Sequence, residues 1–117
     1  MKEFVLLFRM DLTTKEVQPS KEQMNTYMNQ WWDWINFIDS KGQLAKGGNH
    51  FSKKGTVLKS NNIINDGPFI ENKTSVSGYI LILAKNFKDA TSIALKCPIL
   101  EGENTSVEIR EIDSPGK

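Results

Sequence analysis

Apolar residues along this chain repeat with two different periods, and the places where the period changes mark out its elements. Phe4-Val5-Leu6-Leu7-Phe8 is a short unbroken run rich in strand formers, which predicts a strand covered on both faces. Arg9 closes it, either as a rim cation reaching water or as a charge facing a pocket. Asp11 to Pro19 is polar and reads as a loop. Ser20 with Gln23 then forms a capping box, and Met24, Tyr27, Met28, Trp31, Trp34, Ile35 and Ile38 recur at helical spacing, which predicts one apolar stripe running to about Ser40. Gly42 supplies the stop. Trp32 sits at the edge of the stripe and Phe37 well off it, so this helix carries more aromatic surface than one sheet contact consumes. The two rings cover a neighbouring loop, or they face a second subunit or a ligand pocket.

From Gln43 to Asn65 the apolar pieces are short and separated by Gly47-Gly48, Lys53-Lys54-Gly55 and Ser60-Asn61-Asn62, which predicts a strand followed by a hairpin that turns at Asn61-Asn62. Ser77 to Lys85 is apolar on both faces and reads as a central strand, with Tyr79, Leu81 and Leu83 on one side and Ile80 and Ile82 on the other. Asn86 and Asp89 cap a second helix, whose narrow stripe of Ala90, Ile93, Ala94 and Cys97 allows close approach to a sheet and ends at Pro98. Glu101 to Asn104 is a loop. Ser106 to Ile112 alternates, sending Val107 and Ile109 to the core and Glu108, Arg110 and Ile112 to the opposite face. Asp113 to Lys117 reads as a frayed tail.

The order strand, helix, strand with hairpin, strand, helix, strand predicts an α+β, ferredoxin-like fold: an antiparallel sheet with two helices on one face and an inserted hairpin. The other face is itself apolar on the central strands and needs a cover, which predicts a homodimer.

Between the hairpin and the central strand lies Asn65-Asp66-Gly67-Pro68-Phe69. Gly67 can take backbone angles closed to other residues, and Pro68 fixes its own φ while keeping Gly67 out of the α region, so the chain makes a stiff corner with one carboxylate at its mouth. Asp66 either caps this turn through backbone amides, which lowers its pKa, or stands partly desolvated beside aromatic walls, which raises it and suits general acid/base work.

Asp66-Gly67-Pro68-Phe69 with Glu71 and Lys73, then Gly78-Tyr79, Cys97-Pro98 and Val107-Glu108-Ile109-Arg110, resembles the DGPF branch of the YCII-related proteins, over about Phe4 to Ile112. The resemblance implies a small α+β domain that pairs as a dimeric α+β barrel, with a pocket near the DGPF loop. Among YCII relatives a His and an Asp have been proposed as an acid/base pair, which makes His50 a candidate beside Asp66. Where the DGPF branch commonly shows Glu-Thr-Lys-Glu, this chain has Glu71-Asn72-Lys73-Thr74 and so lacks one of two acids.

Composition narrows the classes. The 117 residues suffice for one domain and one core, and 38% hydrophobic with 25% charged residues fits an ordinary soluble globular protein. Fifteen basic against 14 acidic side chains make a weak overall field, which argues against nucleic-acid or membrane partners. The distribution is uneven: Lys41, Lys46, Lys53, Lys54 and Lys59 fall between Asp39 and Asp66 with no acid among them, while Glu101, Glu103, Glu108, Glu111 and Asp113 make the end acidic. A solvated hairpin or an anion-attracting rim would explain the lysines. Cys97 and His50, the single cysteine and histidine, cannot make a disulfide framework or a tetrahedral zinc site, so no metal or other cofactor is expected. Met1-Lys2-Glu3 and the short apolar run after it do not make a signal peptide or a membrane span, so cytoplasmic residence is expected.

Together these readings predict a pocket for a small anionic or polar-aromatic molecule, bordered by Asp66, Phe69, Glu71, Lys73 and Trp32, with Tyr79 as a further ligand-binding candidate. Asp66 would act as acid/base and His50 or Lys73 would polarise a substrate, in a cofactor-free isomerase, lyase or oxygenase-like reaction. The alternative is a non-enzymatic interaction module, for which the resemblance implies a link to sigma-factor-dependent transcription.

Overall fold

A computed structural model describes residues 1–113, so of the expected tail Ser114 to Lys117 lies outside the described residues. The elements are β1 (Lys2–Asp11), α1 (Lys21–Ser40), β2 (Leu44–His50), β3 (Thr56–Lys59), β4 (Ile63–Asp66), β5 (Thr74–Ala84), α2 (Phe87–Ala94) and β6 (Ser106–Glu111). Strands β2, β5, β1 and β6 lie side by side in that order as one antiparallel sheet, with both helices on one face. This is an α+β architecture compatible with the ferredoxin-like plan.

The core lies between sheet and helices, because alternate positions of the two central strands carry its largest side chains. Phe4, Leu6 and Phe8 of β1 pair with Ile82, Ile80 and Gly78 of β5, and onto them close Trp31, Trp34 and Ile38 of α1 and Ala90 and Ala94 of α2. Phe8 meets Trp31 edge-on at 4.8 Å between ring centroids. The small stripe of α2 permits the close approach expected of it, and Trp34 Nε1 donates to the Ile93 carbonyl at 3.1 Å, tying the helices together. Val107 and Ile109 of β6 pack against the same core, while Glu108 and Arg110 are exposed on the opposite side.

Several boundaries differ from the expected ones. β1 does not end at Arg9 but continues to Asp11, through a register shift after Phe8, and Arg9 is a half-buried residue within the strand. β5 begins at Thr74 rather than Ser77, because Asn72 and Lys73 take left-handed angles (φ 51° and 67°) and close a tight turn between Glu71 and Thr74. α2 ends at Ala94, three residues before Cys97. Cys97 precedes Pro98 and is extended (φ −68°, ψ 128°), so the last turns tighten instead of continuing the helix. The capping box at Ser20 and Gln23 forms as expected, with bonds of 2.8 and 3.1 Å.

The hairpin does form, turning through left-handed Asn61 and Asn62, but β3 and β4 make a separate two-stranded sheet. It projects from the body. The Cα radius of gyration is 15.4 Å, against about 13–14 Å for a compact chain of this length.

Candidate functional site

Three hollows bear on function. The first, about 570 Å³, lies between the N-terminal half of α1, the loop after β1 and the turn after α2. Its floor is Met10, Tyr27 and Ile99, and its charged lining residues are Asp11, Glu22, Glu101 and Glu103. The second is a groove beside Phe37, Leu95 and Lys96. The third, about 370 Å³, opens at the sheet edge between α1 and β2 and is lined by Trp31, Trp32, Ile35, His50 and the backbone around Gly47-Gly48.

Asp11 is the buried carboxylate among the described residues, 4% exposed. It accepts from the Thr13 amide at 2.8 Å, the Thr14 amide at 2.9 Å and Asn104 Nδ2 at 3.0 Å. The Thr14 amide most of all, with the Asn104 and Thr13 donors, holds its pKa well below the usual carboxylate range against the opposing effect of burial. Gln18 Nε2 in turn donates to the carbonyls of Asp11 and Thr14. Asp11 and Gln18 are therefore engaged in shaping the loop that walls the first hollow. Burial also raises the pKa of the Tyr27 hydroxyl, and pushes the Cys97 thiol up to about 12, so that thiol is neutral and no nucleophile at ordinary pH.

The third hollow is different. β2 reaches it through a bulge between Leu44 and Gly47, where Gly47 takes φ +72°. Gly48 lies so close to β5 that a Cβ there would overlap the Tyr79 carbonyl oxygen. His50 pairs with Gly78, whose missing side chain leaves the imidazole room on the helix-covered face, and the ring sits 4.6 Å from that of Trp31. The residue as a whole is exposed, and partial desolvation of its ring lowers its pKa from the ordinary histidine value, which favours the neutral imidazole with one nitrogen able to accept. Trp32, on the next position of α1, is 57% exposed at the mouth of the same hollow.

Of the residues singled out from the sequence, His50, Trp32 and Tyr79 therefore border one hollow. Tyr79 does so from behind: its ring lies on the other face of the sheet, packed near Phe51, and its hydroxyl accepts from Asn49 Nδ2 at 3.2 Å. Asp66, Phe69, Glu71 and Lys73 line none of the three hollows. Asp66 ends β4 with an exposed side chain that makes no ion pair among the described residues. The corner is closed instead by the Gly67 amide donating to Gly55 O at 2.7 Å, with Gly67 at φ +87°. Phe69 is half exposed, and its carbonyl accepts from Ser75 Oγ at 2.6 Å. Glu71 and Lys73 belong to the tight turn before β5. Within one chain the corner thus stands apart from these three hollows.

Sequence reasoning passed over Asp11, which looks like the first residue of a polar loop. The available signal was Asp11-Leu12-Thr13-Thr14, an acid followed within three positions by residues whose amides it can accept from.

Neither the protein-family models nor the curated proteins contain a match to this chain. Among the described residues no cluster of three or more His, Cys, Asp or Glu is placed to hold a metal ion, and no helix is long and apolar enough to cross a membrane.

Proposed function

We propose that the protein binds a small, flat, polar-aromatic molecule in the hollow between His50 and Trp32, and does so as a homodimer of the DGPF, dimeric α+β barrel type. The observation that carries this reading is the His50 imidazole tilted against the Trp31 ring at 4.6 Å between centroids, beside the exposed Trp32 indole. An aromatic guest gains stacking against Trp32 and a hydrogen bond to the free imidazole nitrogen, whereas in the first hollow Asp11 and Gln18 are already taken up by the loop that walls it.

If the ligand is turned over, His50 is the group within one subunit able to take a proton from it. Asp66 joins that chemistry only by way of a second copy. The dimer reading is supported by the uncovered sheet face, where Val5, Leu7, Leu81 and Leu83 stand half-buried side by side, and by an envelope of 40 × 40 × 20 Å, flat enough to leave that face broad.

Quenching of tryptophan fluorescence by hydroxylated aromatic acids and phenols tests the site. Saturable quenching should occur in the wild type and weaken by about tenfold or more in Trp32→Ala and His50→Ala with unchanged far-UV circular dichroism. Absence of saturation, or equal affinity in both variants, refutes the site. Turnover of any bound probe by Asp66→Asn at the wild-type rate removes Asp66 from the mechanism.

A further inference from the structure

The hairpin formed by β3 and β4 is the part of the molecule whose own contacts least explain it. A two-stranded sheet by itself is marginal in water. This one has no strand of the main sheet beside it, and Leu58, Ile63 and Ile64 are 74%, 49% and 65% exposed. Phe69, at the corner just beyond, is 51% exposed. Leu58 and Ile64 pair across the hairpin and so share one of its faces, and an exposed apolar pair on an element outside the main sheet marks a contact with something outside the chain.

Charge indicates what that something is. Lys53, Lys54 and Lys59 on and beside the hairpin are exposed and make no ion pair among the described residues. No acid occurs between Asp39 and Asp66 to neutralise them. The complementary surface is in the same chain: Glu101 and Glu103 are exposed and likewise unpaired among the described residues, just before β6, the edge strand at the far side of the sheet from β2, whose own Glu108 and Glu111 pair with Arg110 and Lys2. A basic apolar arm and an acidic edge on one chain satisfy each other twice in a two-fold pair, because the same contact is made in both directions.

We infer that the hairpin is an arm that docks onto a second copy of this chain, with Leu58 and Ile64 covered by the partner and the lysines set against the acidic turn that carries Glu101 and Glu103. The inference rests on the homodimer reading given above and is independent of the ligand.

Sedimentation equilibrium across a range of concentrations and salt decides it. The wild type should be a dimer whose dissociation constant rises with salt. Leu58→Ser/Ile64→Ser should raise that constant by about tenfold or more, since both positions lose apolar burial only in the dimer. Lys53→Glu/Lys54→Glu should also weaken it, and adding Glu101→Lys/Glu103→Lys should restore most of the loss. All four positions are exposed, and circular dichroism should confirm unchanged folding. A monomeric wild type, an unchanged constant in the arm variants, or a charge reversal that the second reversal fails to rescue overturns the inference. Leu7→Arg/Leu81→Arg on the sheet face separates the two ideas: loss of the dimer there, with none in the arm variants, leaves the sheet-face dimer standing and removes the arm. The quenching titration on the same samples reports on the ligand hollow separately.

Discussion

Asn104 and Asp11, 93 positions apart, are joined by a 3.0 Å hydrogen bond from Nδ2 to the carboxylate. Asn104 holds a left-handed backbone (φ 56°), so the loop before β6 is fixed against the loop after β1 by a residue type that tolerates that conformation. The carboxylate has its pKa held down in the folded state, and the unfolded chain therefore binds the proton more readily. The resulting stability is fully present above the unfolded value, about pH 4, and is lost as the pH falls through the lower folded value. Asp11→Asn should lower the urea midpoint at neutral pH and flatten its decline below about pH 4. An equally steep acid decline in the variant would place the titrating group elsewhere.

His50 gives a second pH signature in a separate window. Its folded pKa is lowered by partial desolvation of the ring, so between that value and the unfolded one, about 6.5, stability should rise with pH and be lost again on acidification. Proton NMR of the single histidine should show a midpoint below about 6.5. His50→Gln should abolish this part of the pH dependence. Probe binding should follow the same titration, weakening as the imidazole takes its proton and the accepting nitrogen disappears. A midpoint at or above the ordinary value contradicts the geometry.

Periodicity made the body of the fold legible. The alternation of Ile80 and Ile82 against Tyr79, Leu81 and Leu83, and of Val107 and Ile109 against Glu108 and Arg110, holds as expected, because a half-turn repeat leaves each side chain one face to occupy. The stripe of α1 is also kept from Tyr27 to Ile38, but Met24 at its start is 37% exposed, since the sheet ends before it and the first hollow begins. What failed was non-local. Nothing adjacent to Asp11 announces Asn104, and nothing in Thr56-Val57-Leu58 says that it pairs with β4 alone and not also with a strand of the main sheet. The DGPF corner drew attention for its local rigidity, which is present, but local rigidity does not place an aromatic wall beside it. His50 was recognisable as the sole imidazole; its seat on Trp31 depends on the pairing with Gly78, 28 residues later in sequence.

Gly48 should be among the least replaceable residues of β2. A Cβ there would overlap the Tyr79 carbonyl oxygen and come within 2.7 Å of the Ile80 Cα, both of them backbone in the central strand and unable to swing aside. Gly48→Ala should therefore destabilise by about 3 kcal/mol and displace β2, with weaker binding at the hollow as a consequence. Gly42→Ala is the control: it strains a left-handed position (φ +69°) but meets nothing within 4 Å, and should cost about 1 kcal/mol. Comparable losses from urea unfolding of the two variants would show that the close approach of β2 to β5 is not what Gly48 provides.

Trp32 and Trp34, two positions apart on α1, should divide binding from stability between them. Trp34 is 5% exposed and donates its indole N–H to the Ile93 carbonyl at 3.1 Å. Trp34→Phe loses that bond and leaves a gap between the helices, which should cost about 1–3 kcal/mol in urea unfolding. Because Trp34 does not line the hollow beside His50, probe affinity measured well below the unfolding transition should stay near the wild-type value. Trp32 is 57% exposed, so Trp32→Ala removes little packing and should change stability by no more than about 0.5 kcal/mol. It takes away one wall of the hollow, and affinity should fall as described above. The opposite division, with Trp32 costing stability and Trp34 costing affinity, would mean that the exposed indole serves the fold and that the guest sits nearer the junction of the two helices.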